Sequence, residues 1–134
     1  NRIHVDICGS CGTIWLATVP CDFYELISDL LDGRSSAAKW QVDDVYVGVV
    51  LVSEGYPEAP IRGARVPSAK DVLPLTINFA GVQAGMANGG RVATIIGHDK
   101  TATYAQRKVY NKIDSLDTEL RYRHDIAYQA VHKE

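Results

Sequence analysis

What this chain lacks narrows its function before any motif is read. No apolar run reaches the roughly 18 residues of a membrane-spanning helix, and no secretory leader or lipidation motif is legible. There is no basic excess: 14 Lys and Arg stand against 16 Asp and Glu, a formal net charge of −2. A general nucleic-acid surface ordinarily carries a surplus of cations. Neither a membrane nor a nucleic acid is therefore an expected partner. Cysteine is scarce and odd in number, with only Cys8, Cys11 and Cys21. That argues against a closed disulfide framework and, with no leader, favours the reducing cytoplasm. Self-contained catalytic signatures are missing as well. There is no Walker loop, no Rossmann fingerprint and no Gly-x-Ser-x-Gly elbow. No two of His4, His98, His124 and His132 sit four apart on a clear helix. No catalytic residue is assigned. The first residue is Asn rather than Met, which suggests a processed product or a piece of something longer.

What is present suits one α+β domain of 134 residues, 46% of them hydrophobic. "IHVDI" alternates like a strand, and "TIWLATV" reads as a second. "DFYELISDLLDG" predicts a helix. Phe23, Leu26, Ile27, Leu30 and Leu31 form one apolar stripe, Asp22 is placed to cap the start, and Gly33 to end it. "VYVGVVLV" (45–52) is a β-branched run, expected to be buried on both faces and to receive the stripe of that helix. The segment 53–71 carries loop signals, with three prolines and two glycines. "VLPLTINFAG" predicts a strand kept near an edge by Pro74, and "RVATIIG" a further strand. Then Ala102, Ala105, Val109 and Ile113 mark the inner face of a helix capped by Asp99 or Thr101, with Lys108 and Lys112 outward. The total is about five strands and two or three helices, with no βαβ alternation that demands a parallel sheet.

Two stretches invite chemistry. Cys8-Gly9-Ser10-Cys11, with Cys21 and His4 nearby, supplies four zinc-type donors. It also has the form of a redox dithiol, although a glycine and a β-prone run come next where a helix should open. The reading preferred is the plain one, cysteines packed as small apolar side chains; no metal ligand is assigned. "MANGGRVATIIGHD" (86–99) places two glycines and an arginine at the mouth of an apolar strand. One reading is a hairpin turn with Arg91 solvated or paired to a carboxylate. The other has Gly89 and Gly90 at positive φ, aiming successive N–H groups at an anion beside the Arg91 guanidinium. The residues alone do not separate the two.

Four stretches in order resemble one family. They are "CDFYELISDLLDG" (21–33), "GVVLVSEGYPEAP" (48–60), "NGGRVATIIG" (88–97) and "RYRHDIAYQAV" (121–131). Together they are similar to the C-terminal domain of phosphoribosylamine–glycine ligases, also called glycinamide ribonucleotide synthetases, over roughly residues 20–132. The resemblance implies a compact, largely antiparallel, barrel-like α+β domain over 22–134. Residues 1–21 would then be a diverged remnant of the ATP-grasp core edge. It implies an ATP-grasp ligase of de novo purine synthesis, joining glycine to 5-phosphoribosylamine, with ATP and magnesium held by upstream domains of the same enzyme. No cofactor is expected for this chain alone, and it is expected to be catalytically incomplete. There are departures from the family pattern. The family's Glu-Phe-Asn-x-Arg-Phe-Gly-Asp-Pro-Glu, whose Glu and Asn bind magnesium, is replaced here by "RIHVDICGSCGTIW", with Asp6 an echo of one ligand. "NFAGVQ" (78–83) stands for His-Ala-Gly-Thr, and Ala127 stands where the family has glycine.

The resemblance shifts the reading of 88–91. Its substrate carries a 5-phosphate, and so Asn88, Gly89, Gly90 and Arg91 are the expected substrate-binding residues. Arg123 is a second candidate, which Asp125 could instead pair. The alternative is a diverged, free-standing, non-catalytic relative that binds a phosphate-bearing ligand or a partner protein.

Overall fold

The computed structural model describes residues 22–34 and 43–132, together with Ile14 and Thr18. The first predicted strand and Cys8, Cys11 and Cys21 lie outside the described residues. Of "TIWLATV", Ile14 is helical and Thr18 lies in a turn, so neither is in the strand expected there.

Helix α1 runs Phe23–Leu31 and is capped as its sequence predicts. Asp22 Oδ1 accepts from the N–H groups of Tyr24 (2.7 Å) and Glu25 (3.4 Å), satisfying donors that have no partner inside the helix. Gly33 comes after it at φ +67°, the left-handed position that closes many helices.

The centre of the molecule is a three-stranded antiparallel sheet in the order β1-β5-β2. Strand β1 is Val45–Val52. A loop then leads to a single helical turn, α2, at Ala69–Val72. Next come β2 (Thr76–Phe79), β3 (Val82–Gln83), β4 (Met86–Ala87) and β5 (Arg91–Asp99). β3 and β4 form a separate small hairpin. Pro74 precedes β2, an edge strand as expected, where no ladder needs its missing N–H. These sheets do not close into a barrel among the described residues.

Burial on both faces belongs to β5, not β1. Val92 through Gly97 are all buried, and β5 is the central strand, with β1 on one side and β2 on the other. β1 alternates: Val47, Val49 and Leu51 are buried and the intervening residues only partly. A β-branched run therefore overstated its burial, since an edge strand needs one apolar face only.

Helix α3, Ala102–Asp114, covers the buried face. Thr101 caps it, accepting from the Tyr104 N–H at 3.3 Å. Ala102, Ala105, Val109 and Ile113 are buried as the periodicity predicts, and the last three join Val47, Val49, Leu51, Val92 and Ile95 in one core. Gly97 permits the close approach: a Cβ there would stand 2.8 Å from Val109 Cγ2. This placement overturns the expectation that α1 packs on β1. The inner face of the sheet is already occupied by α3. Of the described side chains of the α1 stripe, Leu26 is buried and Ile27 exposed, and Leu30 and Leu31 are 60% and 82% exposed. The Phe23 side chain lies outside the described residues.

The tail folds back along the sheet. Arg121 forms an isolated antiparallel bridge with Val52, their N–H and C=O groups exchanging two 2.8 Å bonds. α3 anchors the segment beyond that bridge. Tyr110 Oη donates to the Arg123 carbonyl (2.7 Å), and Gln106 Nε2 donates to the Ile126 carbonyl (2.7 Å). Ala127 then takes φ +63° before the last turn, α4 (Tyr128–Val131). That φ is disfavoured for any side chain with a Cβ, and it explains why a glycine would suit the position.

Candidate anion site at the mouth of the central strand

β5 opens at the conjunction of three segments: 88–91, 52–56 and 80–81. Ser53 ties them together. It is almost fully buried, and its hydroxyl donates to the Gly89 carbonyl (2.7 Å) while its N–H donates to the Gly90 carbonyl (2.8 Å). On the other side, Gly81 N–H donates to the Arg91 carbonyl (3.1 Å) and Asn88 N–H to the Gly81 carbonyl (2.8 Å). A buried hydroxyl must find an acceptor, and here it fixes the path of the glycines.

Gly90 is needed for a reason other than the one expected. Neither Gly89 nor Gly90 has a left-handed φ, so the bend that would form a nest is not present. A Cβ on Gly89 would meet only ordinary contacts, the nearest Gly81 Cα at 3.5 Å, whereas Gly90 and Gly81 are closely approached. A Cβ on Gly90 would stand 2.3 Å from Tyr56 Cδ2, and one on Gly81 would stand 2.8 Å from the Arg91 carbonyl oxygen. The peptide geometry still leaves a donor available. The Gly89 carbonyl points at Ser53, so the Gly90 N–H of the same trans peptide points away from it, and it makes no hydrogen bond among the described residues. Beside it, Arg91 is exposed, and its side chain forms no hydrogen bond or ion pair among the described residues. Asn88 is exposed, its Nδ2 donating to Gln83 Oε1 at 2.9 Å.

Arg123 is held differently. Its Nε and Nη2 donate to the two oxygens of Asp125 at 2.9 and 2.6 Å, and those bonds hold the Asp125 carboxyl below the usual carboxylate range. Arg121, which opens the stretch 121–131 but was not among the expected site residues, lies nearer the mouth of β5 through its bridge to Val52, and its Nη2 reaches Glu54 Oε1 at 2.7 Å. Ser53, within the stretch 48–60, was not an expected site residue either. Its local signal is a polar residue interrupting an apolar run, which reads as the end of a strand.

Several other charged groups are committed elsewhere. At the far end of β5, Asp44 forms ion pairs with Lys100 Nζ (2.6 Å) and His98 Nδ1 (2.7 Å), and these two partners lower its pKa. A groove of about 620 Å³ there is lined by His98, Lys108 and Lys112, but Lys108 is paired with Asp99. Tyr122 Oη donates to Asp114 (2.6 Å), and stabilisation of the protonated phenol by that carboxylate pushes its pKa up to about 12. Among the described residues no group of three or more His, Cys, Asp or Glu could hold a metal ion, and no helix is long and apolar enough to cross a membrane.

The fold and the turn together define a small antiparallel α+β domain with an arginine-bearing glycine segment at the mouth of its central strand. Residues 46–129 match the family described as phosphoribosylglycinamide synthetase, C domain, and the chain belongs to that family. It is 34% identical over 125 residues to the phosphoribosylamine–glycine ligase of Streptococcus pyogenes serotype M1, and 35% identical over 125 residues to that of Streptococcus suis. Each alignment covers 88% of this chain and 30% of the relative, so the chain spans less than a third of the length of these relatives. The crystal structure of phosphoribosylamine–glycine ligase from Thermotoga maritima is similar in fold, with a TM-score of 0.68 and 28% identity. It is matched over 88% of this chain and 31% of that one.

Proposed function

We propose that this chain serves as the C-terminal domain of a phosphoribosylamine–glycine ligase, acting in purine biosynthesis in the cytoplasm, and that it is not catalytically complete alone. On this reading residues 22–134 are the domain, and 1–21 are the remnant of its junction with an ATP-grasp core. The observation that carries the site is Arg91. It is exposed and unpaired among the described residues, next to a Gly90 N–H that points away from the side chain anchoring the turn. A free N–H and a guanidinium at one turn suit the phosphate of phosphoribosylamine or of another phosphate-bearing small molecule. Asn88 and Gly89 border it. Arg91 binds and orients the ligand; it does not touch the reacting amine.

ATP and magnesium belong to the complete ligase, where they supply phosphoryl activation of a carboxylate. Among the described residues no group of three or more His, Cys, Asp or Glu could hold a metal ion, and no residue is assigned to magnesium. The exposed stripe of α1, with Leu30 and Leu31, is the surface that faces the other domains of the enzyme.

The test is Arg91→Ala in the full-length ligase. Loss of a charge-assisted phosphate contact should lower kcat/KM for phosphoribosylamine by an amount equivalent to about 1.5–3 kcal/mol, with the response to ATP unchanged. An unchanged kcat/KM removes Arg91 from the site. The purified 134-residue chain is expected to release no ADP in the presence of glycine and phosphoribosylamine.

A further inference from the structure

We propose that Arg121 is the second cation of the same anion site and that Glu54 is the counterion an incoming phosphate displaces. The inference rests on the Arg91 reading above and adds a residue that reading does not contain.

Strand register puts the two arginines on one face. Val52 is paired with Arg91 on one side and with Arg121 on the other. Residues directly opposite each other in antiparallel pairs project from the same face of the sheet. Val47, Val49 and Leu51 point to the buried face, under α3, so Val52 and its two arginines lie on the opposite face. The register shift between Leu51 and Val52 sets this phase: Leu51 faces Ala93 and Val52 faces Arg91, leaving Val92 as the extra residue. Two strand spacings separate the arginine backbones by about 10 Å. Both residues are exposed, and their long side chains can converge on one multiply charged group above Val52.

The guanidinium of Arg121 already accepts this chemistry. Its partner is a carboxylate oxygen at 2.7 Å, with the two side chains 66% and 54% exposed. An exposed ion pair of this kind is weakly held. A phosphate offers the same oxygen acceptors with more charge, and Arg91 contributes to holding it. Arg123 differs, because two of its nitrogens are taken by Asp125, two residues along the chain. Its fork is closed on one carboxylate, whereas Arg121 meets Glu54 through Nη2 and a single carboxylate oxygen.

Calorimetric titration of the intact chain with ribose 5-phosphate, and separately with inorganic phosphate, tests the proposal. Arg121→Ala should weaken ribose 5-phosphate binding about tenfold, the loss expected of one charge-assisted contact. Glu54→Gln should tighten it severalfold, and that gain should vanish in the Arg121→Ala background. Loss of the gain in the double variant separates release of Arg121 from a general change in surface charge. Binding of both phosphates with the same dependence places the recognition on the phosphate; binding of the sugar phosphate alone adds a ribose contact to the same clamp. If Arg91→Ala weakens binding and Arg121→Ala does not, the clamp is wrong and the Arg91 site stands. If neither variant changes binding, or the chain binds no phosphate, both fall. A persisting Glu54→Gln gain without Arg121 also overturns the clamp. Circular dichroism of each variant identifies any that fail to fold, and Arg121→Lys, which keeps the charge and the backbone bridge to Val52, then reports in place of the alanine.

Discussion

Helices α1 and α3 carry the same kind of information and end in different places. Both are capped by a side-chain oxygen, Asp22 in one and Thr101 in the other, and both present an apolar stripe. The stripe of α3 lies against β1 and β5 in the core, and most of the α1 stripe is exposed. Periodicity states that a face is to be buried; it does not state against what. α3 comes directly after β5 through a short turn and folds back onto the same sheet. α1 belongs to a segment whose proposed partner is the rest of the ligase.

That difference can be attacked experimentally, beginning where the effect should be greatest. Ile113 is fully buried in the core, so Ile113→Ala should cost about 2–5 kcal/mol in denaturant unfolding. A cost near zero would mean that α3 is not the covering layer. Gly97→Ala places a methyl 2.8 Å from Val109 Cγ2 and should cost about 1–3 kcal/mol by overpacking the interface between α3 and β5. Pairing it with Val109→Ala should restore part of the loss if that contact is the cause.

Ala127→Gly acts in the opposite direction. It relieves roughly 1–2 kcal/mol of left-handed strain and adds about 0.4–1 kcal/mol of unfolded-chain freedom. The midpoint of unfolding should therefore rise by the equivalent of up to about 1.5 kcal/mol. A fall would show that the φ of +63° is not retained. The smallest effect is expected at Leu31, whose side chain is mostly exposed. Leu31→Ala should change the stability of the isolated chain by less than about 0.5 kcal/mol, and should destabilise the full-length ligase by more. Equal, small effects in both would remove α1 from the proposed domain interface.

Much of the fold was legible in the sequence. The α3 face, the two caps, the edge position of β2 and the strand at 91–97 all come from local rules. Burial was less legible, because a β-branched run such as Val45–Val52 reads alike in an edge strand and a central one. The candidate site was less legible. Glycine-glycine-arginine implied a left-handed bend, which Gly89 and Gly90 do not adopt. Gly90 instead admits the Tyr56 ring, and the ring comes from a segment remote in sequence. Ser53 and Arg121 were not legible for the same reason. One is defined by the carbonyls of Gly89 and Gly90, the other by its bridge to Val52, and neither relation is local in sequence.

If the turn at Asn88–Arg91 receives a phosphate, its own amides should report it. Amide resonances of the isotopically labelled chain, followed during titration with ribose 5-phosphate, supply that readout. A phosphate seated on the turn predicts saturable shifts centred on Gly90 and Arg91, with smaller ones at Gly89 and Asn88, and their loss in Arg91→Ala. Shifts confined to the groove beside Lys108 and Lys112, or a turn that does not respond while the protein remains folded, would contradict it.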